Sequence, residues 1–334
     1  MRITTRMITT RYTKSLNNLA YELDRLNNQV ATGRKHMNSS ENTAEAVKAF
    51  QIRRNMSKVE GYLSNIEYAK DFLTNSETGL THLQEIVQEA KSKIVAGMND
   101  TQSKTEREVI ATELRDLLMQ FLQTLNTNIS GRYIFGGTNT ETPPFEIVDG
   151  KLHYNGYELD SLEAGTEDYN KLLNDSLTID IGLGLYFNPD STVNKGSVFG
   201  YSITGIDITG SGTTDIDGIC VSNNIYDLLR QIAEEFESDD YSHDKVDALF
   251  GHFEKVSGNV LKKMTEVGSK TSYLKFMKER YDDQTFNLKE RQVSVEGIDT
   301  AYSIILYESQ KVAYNAALQM GARLIQPSIF NFMS

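Results

Sequence analysis

The chain has no tryptophan and only one cysteine, Cys220, among its 334 residues. A single cysteine excludes an intrachain disulfide and a zinc site built from several cysteines. No run of about 18 apolar residues occurs, so we predict no membrane-spanning helix. Residues 1–10 also lack the apolar core of a cleaved secretory signal. We therefore expect no ordinary secretion, which leaves open an export route that keeps the N-terminus intact.

Proline is rare, and its positions divide the chain. The four prolines are Pro143, Pro144, Pro189 and Pro327. Because proline breaks helices, its absence from residues 1–142 and 190–326 favours long, uninterrupted helices on both sides of a different middle part.

The net charge of −12 argues against general binding to nucleic acid or to an anionic membrane. The first 37 residues are an exception, because they carry more basic than acidic side chains. These charges alternate with apolar residues, so we interpret them as the solvated face of a helix rather than as a nucleic-acid-binding arm.

Both chain ends carry an apolar stripe with helical spacing. The N-terminal stripe consists of Leu16, Leu19, Leu23, Leu26 and Val30. The C-terminal stripe consists of Ile298, Ala301, Ile305, Val312, Ala316, Met320 and Leu324. Steps of three, four or seven residues are typical of a narrow seam that packs on another helix. Since isolated helices are marginal in water, we predict that these seams are unpartnered in the monomer and are completed by assembly.

Two inner segments repeat apolar residues every seven positions. The first contains Val59, Ile66, Leu73, Leu80, Val87 and Ile94, and the second contains Val246, Phe253, Val260, Val267, Leu274, Tyr281 and Leu288. This period predicts two long, coiled-coil-like helices. The simplest arrangement packs them antiparallel, with a helix over 104–130 that ends at Gly131 beside them.

The middle of the chain has a different sequence pattern, which is typical of turns and strands. Asn155-Gly156 between apolar runs favours a type I′ hairpin turn. Residues 133–135, 177–187 and 198–208 read as β runs, since they alternate or are rich in β-branched residues. We therefore predict a β-rich insert over 141–220.

Together these patterns predict a mainly α fold: a long antiparallel helix bundle made from both chain ends, with a small β-rich inserted domain. We divide it into a terminal assembly domain (1–41 and 291–334), a helical rod with a β-hairpin (42–140 and 221–290) and the outer insert (141–220).

No motif in the sequence carries enzyme chemistry. The five histidines form no HExxH pair, and neither a GxSxG elbow nor a P-loop is present. Asp215-Ile-Asp217-Gly218 lacks the further acidic ligands of a calcium loop, which favours a plain turn. We therefore predict no catalytic, cofactor or metal site, and no enzyme.

Three segments carry a family resemblance. Ala31-Thr-Gly-Arg-Lys35 resembles the end of the first helix in bacterial flagellins and their hook-associated relatives. Gly131-Arg-Tyr-Ile-Phe-Gly-Gly137 resembles the family's strand after the third helix, and residues 322–332 are similar to the "IQPSLLDFL" ending of its hook–filament junction members. The family's proline-containing loop is replaced here by Met37-Asn-Ser-Ser-Glu-Asn-Thr43, which predicts a less rigid connection.

The resemblance implies a structural adaptor of the bacterial flagellum, outside the cell and exported by the flagellar type III apparatus. It implies a ring of copies between another hook-associated protein and the first flagellin, which permits flagellin polymerisation. It also implies an export chaperone that holds the C-terminal helix before secretion. No nucleic-acid, membrane or cofactor partner is implied.

Three alternatives remain. The chain could be flagellin itself, although Gln326-Pro-Ser and Phe330-Asn-Phe favour the adaptor. An enzymatic activity could reside in the insert, although no His/Glu pair supports it. A coiled-coil signalling rod would need a membrane span or a sensor domain, and the sequence supplies neither.

Overall fold

A computed structural model describes residues 5–99, 102–216 and 218–324. It contains long helices, several short helices and small antiparallel sheets. The α-helices are α1 (Thr5–Thr32), α2 (Thr43–Gly97), α3 (Lys104–Leu125), α4 (Glu167–Leu173), α5 (Gly205–Thr209), α6 (Ile225–Glu237), α7 (His243–Glu296) and α8 (Thr300–Leu324). The strands are β1 (Asn128–Ile129), β2 (Arg132–Tyr133), β3 (Phe145–Val148), β4 (Lys151–Tyr154), β5 (Tyr157–Glu158), β6 (Thr178–Ile179), β7 (Phe199–Gly200), β8 (Thr213–Ile216) and β9 (Ile219–Ser222). The prediction of a mainly α fold with a small β part is confirmed.

The chain forms two compact units. Unit 1 comprises residues 1–60 and 282–334, and unit 2 comprises residues 61–281. Our three-part domain division stays a prediction.

In unit 2, the predicted heptad positions form the core. Every one of them, from Ile66 to Ile94 on α2 and from Val246 to Tyr281 on α7, is buried. Lys278 Nζ lies 2.8 Å from Glu67 Oε1, and the rings of Tyr62 and Tyr281 are 5.6 Å apart, which confirms the antiparallel packing. Burying each such side chain contributes about 1.5–3 kcal/mol before conformational entropy is subtracted.

The third predicted helix is shorter than expected and has an additional neighbour. The expectation that it ends at Gly131 is wrong, because α3 ends at Leu125. Ser130 and Gly131 adopt positive φ angles of 54° and 82° and form the turn between β1 and β2. The short helix α6 packs along α3, where Arg115 forms a two-bond ion pair with Glu237.

A capping box begins α3. Ser103 Oγ accepts a hydrogen bond from the Glu106 backbone, and Glu106 Oε2 accepts one from the Ser103 N–H at 2.7 Å. This capping box pairs two otherwise unsatisfied donors.

The insert contains the predicted hairpin but fewer strands than expected. Asn155 and Gly156, with φ angles of 49° and 85°, join β4 to β5 as a type I′ turn should. The long β runs over 177–187 and 198–208 are wrong: only two-residue strands form there, and Gly205 begins α5. A Cβ at Gly205 would overlap the ring of Phe145, so tertiary packing overrides the β-branched composition at this site.

A buried polar network ties the insert to α6. Asp227 is fully buried, accepts a hydrogen bond from the Leu152 N–H at 3.2 Å, and pairs with Arg230. Asn224 Nδ2 donates to both Asp227 and Asp160. Burial raises the pKa of Asp160, although its hydrogen bonds act in the opposite direction. Such a network stabilises one arrangement of the insert, since any unpaired member would be costly.

We predict that Leu80→Ala lowers the free energy of unfolding by about 2–5 kcal/mol, because it leaves a cavity in the α2–α7 core. The measurement is urea denaturation followed by helical circular dichroism. Phe276→Ala is the matched control, because this α7 ring is exposed and its loss should cost much less. Equal losses in the two variants would contradict the assigned core.

Candidate assembly surface

The first and last helices, both in unit 1, pack on each other. Tyr12 Oη donates to the carbonyl oxygen of Ala317 at 2.9 Å, and Gln310 Nε2 donates to that of Leu19 at 3.4 Å. These contacts make α1 and α8 an antiparallel pair. Each terminal helix therefore has a partner in the monomer, so the prediction of unpartnered seams is wrong for α1.

The pair closes with backbone contacts just beyond the helices. Arg34 and Gly297 form an antiparallel β-bridge, and the Lys35 N–H donates to the Glu296 carbonyl at 2.8 Å. These bonds hold the end of α1 beside the start of α8, which fixes how the two helices are aligned along each other.

The predicted α1 seam lies on the inner side of this pair. Leu26 is buried, and the other members, Leu16, Leu19, Leu23 and Val30, are partly buried. The α1 seam therefore finds a partner within the chain, although its cover is incomplete.

The inner face of α8 is not the predicted stripe. It is formed by small and polar residues spaced by three, four or seven: Ser303, Tyr307, Gln310, Tyr314, Ala317 and Gly321. A Cβ at Gly321 would overlap the Tyr12 hydroxyl, so glycine permits the close approach of the two helices. A search for apolar residues missed this face, although its heptad spacing was visible in the sequence.

The predicted α8 stripe points away from α1. Ile305, Val312 and Met320 are 66%, 66% and 59% exposed. Ala301 and Ala316 are exposed as well, whereas Ile298 is partly buried. At about 100° per residue, this stripe lies roughly opposite the face that contacts α1. The two predicted seams therefore do not meet; their assignment as assembly residues stays a prediction.

The last residues singled out in the sequence lie beyond the described part of the chain. The side chain of Leu324, the final stripe residue, lies outside the described residues, as do Gln326-Pro-Ser and Phe330-Asn-Phe.

Further apolar side chains widen the exposed surface of unit 1, and our sequence analysis did not single them out. On the terminal pair they are Met7, Ile8, Tyr21, Tyr302, Ile304, Leu306 and Leu318. On α2 and α7 they are Val47, Phe50, Phe286 and Val293. Exposed apolar side chains that gather into patches mark interaction sites.

Charge is divided unequally between the two units. Unit 1 has 15 Lys and Arg against 11 Asp and Glu, and unit 2 has 19 against 35. The exposed apolar side chains of unit 1 thus lie on a mildly basic unit, while unit 2 is strongly acidic.

The connection from α1 to α2 is held by polar contacts in place of prolines. Gly33, at a φ of 68°, follows the last residue of α1, and Gln29 Nε2 donates to the Lys35 carbonyl at 2.7 Å. His36 lies between two carboxylates, 3.5 Å from Glu41 and 2.9 Å from Glu45. Desolvation raises the pKa of Glu41. Hydrogen bonds from backbone N–H groups and the neighbouring His36 outweigh this effect, so the pKa of Glu41 is lowered overall.

The start of α2 is capped by a side chain. Asn42 Oδ1 accepts a hydrogen bond from the Glu45 N–H at 3.2 Å, which satisfies one of the free donors of the first turn.

The described residues contain no group of three His, Cys, Asp or Glu side chains placed to hold a metal ion. None of the helices described is both long and apolar enough to cross a membrane.

The first part of the chain matches a known protein family. Residues 3–140 match the family model of the bacterial flagellin N-terminal helical region. This segment spans α1, α2, α3 and the β1–β2 hairpin, so the first part of the chain is flagellin-like.

The particular relatives are flagellar hook-associated proteins. The chain is 24% identical over 326 residues to flagellar hook-associated protein 3 of Escherichia coli (strain K12), covering 95% of each chain. It is 30% identical over 154 residues to the protein of the same name from Salmonella typhimurium, covering 46% of this chain and 49% of the relative. The resemblance to flagellin-like hook-associated proteins is therefore confirmed.

A solved structure supports the fold. A Vibrio parahaemolyticus protein, provisionally described as a flagellar hook-associated protein, aligns with a TM-score of 0.60 at 20% identity. The alignment covers 77% of this chain and all of that one.

We predict that Leu23→Asp opens the α1–α8 pair, because a charged carboxylate would have to be partly buried there. Limited proteolysis of the purified chain should then remove α1 at least about fivefold faster than in the unchanged chain.

Tyr21→Asp is the control, since this residue lies on the same helix and is exposed. It should leave the cleavage rate nearly unchanged. Equal rates for both variants would mean that Leu23 is not on a packed face.

Proposed function

We propose that this chain is a structural subunit of the bacterial flagellum that joins a hook-associated protein to the filament and permits flagellin to polymerise. The observation that carries the proposal is the exposed apolar face of α8 on a helix pair built from both chain ends. Similarity to hook-associated protein 3 along nearly the whole chain supports the same role.

The outward stripe of α8 explains why such a subunit would assemble. Ile305, Val312 and Met320 follow one another along one side of the helix and are all largely exposed. Covering each with a neighbouring subunit would remove apolar area from water and favour association. In this role the inner face of α8 packs on α1 within the chain, and the outward stripe of α8 binds neighbouring subunits.

The proposed partners follow from this surface. Copies of the chain form a ring, another hook-associated protein lies on the hook side, and flagellin lies on the filament side. Before export, a chaperone with an apolar groove covers the α8 stripe, because a bare stripe would aggregate. The location is the flagellum outside the cell, reached through the flagellar export apparatus.

Flagellin itself is the second candidate. The match of residues 3–140 to the flagellin N-terminal helical region favours it. Similarity to hook-associated protein 3, which extends beyond this region over 95% of the chain, favours the junction subunit.

We predict that deletion of the gene yields bare hooks and releases unpolymerised flagellin into the medium, because the junction on which filaments grow is missing. Electron microscopy of the hooks and immunoblotting of the medium measure this outcome. Bare hooks with no flagellin in cells or medium would instead identify the chain as flagellin. Normal filaments would refute both functions.

We predict that Ile305→Asp leaves the chain folded but prevents its incorporation into flagella, because the new charge lies in the assembly stripe. Circular dichroism checks the fold, and immunoblotting of sheared flagella measures incorporation.

Leu261→Asp makes the same chemical change at an exposed position of unit 2 and should incorporate normally. Normal incorporation of the Ile305 variant would rule out the α8 stripe as an assembly surface.

A further inference from the structure

The two inner helices of unit 1 each present an exposed stripe on the side away from their buried residues. On α2 the stripe contains Val47, Phe50, Arg54 and Lys58, opposite the buried Ala49 and Val59. On α7 it contains Asp282, Asp283, Phe286, Glu290 and Val293, opposite the buried Leu288.

Both stripes combine large apolar side chains with charge of one predominant sign. Phe50 is 64% exposed and Val293 is 69% exposed. The α2 stripe carries two cations and no acid, whereas the α7 stripe carries three acids with Lys289 only at its edge. Within the described chain, none of these charged groups forms an ion pair. The two stripes are thus complementary to each other, and neither is complementary to itself.

The two stripes cannot meet within one chain. In unit 1, Arg53 of α2 and Glu296 of α7 form an ion pair at 3.0 Å, so the helices lie side by side. Each stripe is on the far side of its own helix from the buried face. They therefore lie on opposite sides of the α2–α7 pair.

We propose that the α2 stripe of one copy docks on the α7 stripe of the next copy. This inference rests on the proposed function, because it supplies the lateral contact of the ring. A contact between two different patches repeats head to tail, which produces a ring or a helical array and not a closed dimer.

The spacing of the stripes gives a specific register. Each stripe spans about 16 Å along its helix. In the antiparallel arrangement, Phe50 placed against Val293 brings Arg54 opposite Glu290 one turn later. A further turn brings Lys58 opposite Phe286 and beside Asp282 and Asp283. Apolar contact then lies at one end and charge pairing along the rest, which also selects the partner's orientation.

Cross-linking in intact flagella tests the register. Cells would produce the chain with Cys220→Ser, Phe50→Cys and Val293→Cys, and sheared flagella would be treated with a short bismaleimide. A ladder of dimers, trimers and larger products is expected. Phe50→Cys alone and Val293→Cys alone, each with Cys220→Ser, should give no ladder and no dimer.

Each other outcome has a distinct meaning. Absence of the chain from flagella would defeat the proposed function, and this interface with it. Presence in flagella without a ladder would overturn the interface alone. Dimers from either single-cysteine chain would also overturn it, since like stripes would then face each other.

Charge reversal provides an independent test. Arg54→Glu and Glu290→Arg should each reduce swimming motility at least about fivefold, and the double variant should recover most of it. Lys48→Glu is the control, because this exposed lysine lies on α2 outside the stripe. A double variant no better than either single variant, or an equally harmful Lys48→Glu, would overturn the proposal.

Discussion

The antiparallel packing of α2 on α7 is the interaction on which the rest of the structure depends. Apolar residues at every seventh position give each helix one continuous buried face. Because the two helices run in opposite directions, the start of α2 lies beside the end of α7, as the Arg53–Glu296 ion pair shows. This geometry brings the segments before α2 and after α7 together, and it makes the α1–α8 pair possible.

The α8 helix reverses the usual arrangement of a surface helix. Its small and polar residues face another helix of the same chain, while its largest apolar side chains face outward. In an isolated globular protein this arrangement would leave apolar side chains in water that could otherwise be buried in the core. In a subunit it is useful, because close packing on α1 leaves the apolar face available to neighbours. The same division recurs on α2 and α7, where a buried face supports the fold and an exposed face carries apolar and charged residues.

Much of the fold was predictable from the sequence. The heptads of α2 and α7, the Ser103–Glu106 capping box and the Asn155-Gly156 turn are local signals, and the structure confirms each one. The errors occurred where tertiary contacts decide. The 198–208 run has β-branched residues, yet Gly205, which packs closely on Phe145, begins the helix α5 there. The α8 face that contacts α1 was missed because apolar content indicated the opposite side of the helix.

The candidate site was only partly predictable for the same reason. The sequence located the apolar stripe of α8, but it could not show that α1 would occupy a different face. Nor could it reveal the complementary stripes of α2 and α7, which became apparent only when the buried sides of both helices were known. Charge adds a related constraint to the proposed ring: the acidic unit 2 of one copy would repel that of another, which would favour contacts through the mildly basic unit 1.

We propose that the outward face of α8 is open in the free chain and covered in the flagellum. Maleimide labelling of a chain with Cys220→Ser and Ile305→Cys tests it directly, with Leu261→Cys in the same background as reference. We expect position 305 to react as readily as position 261 in the purified chain and to be protected in intact flagella. Equal labelling of position 305 in both states would contradict the claim.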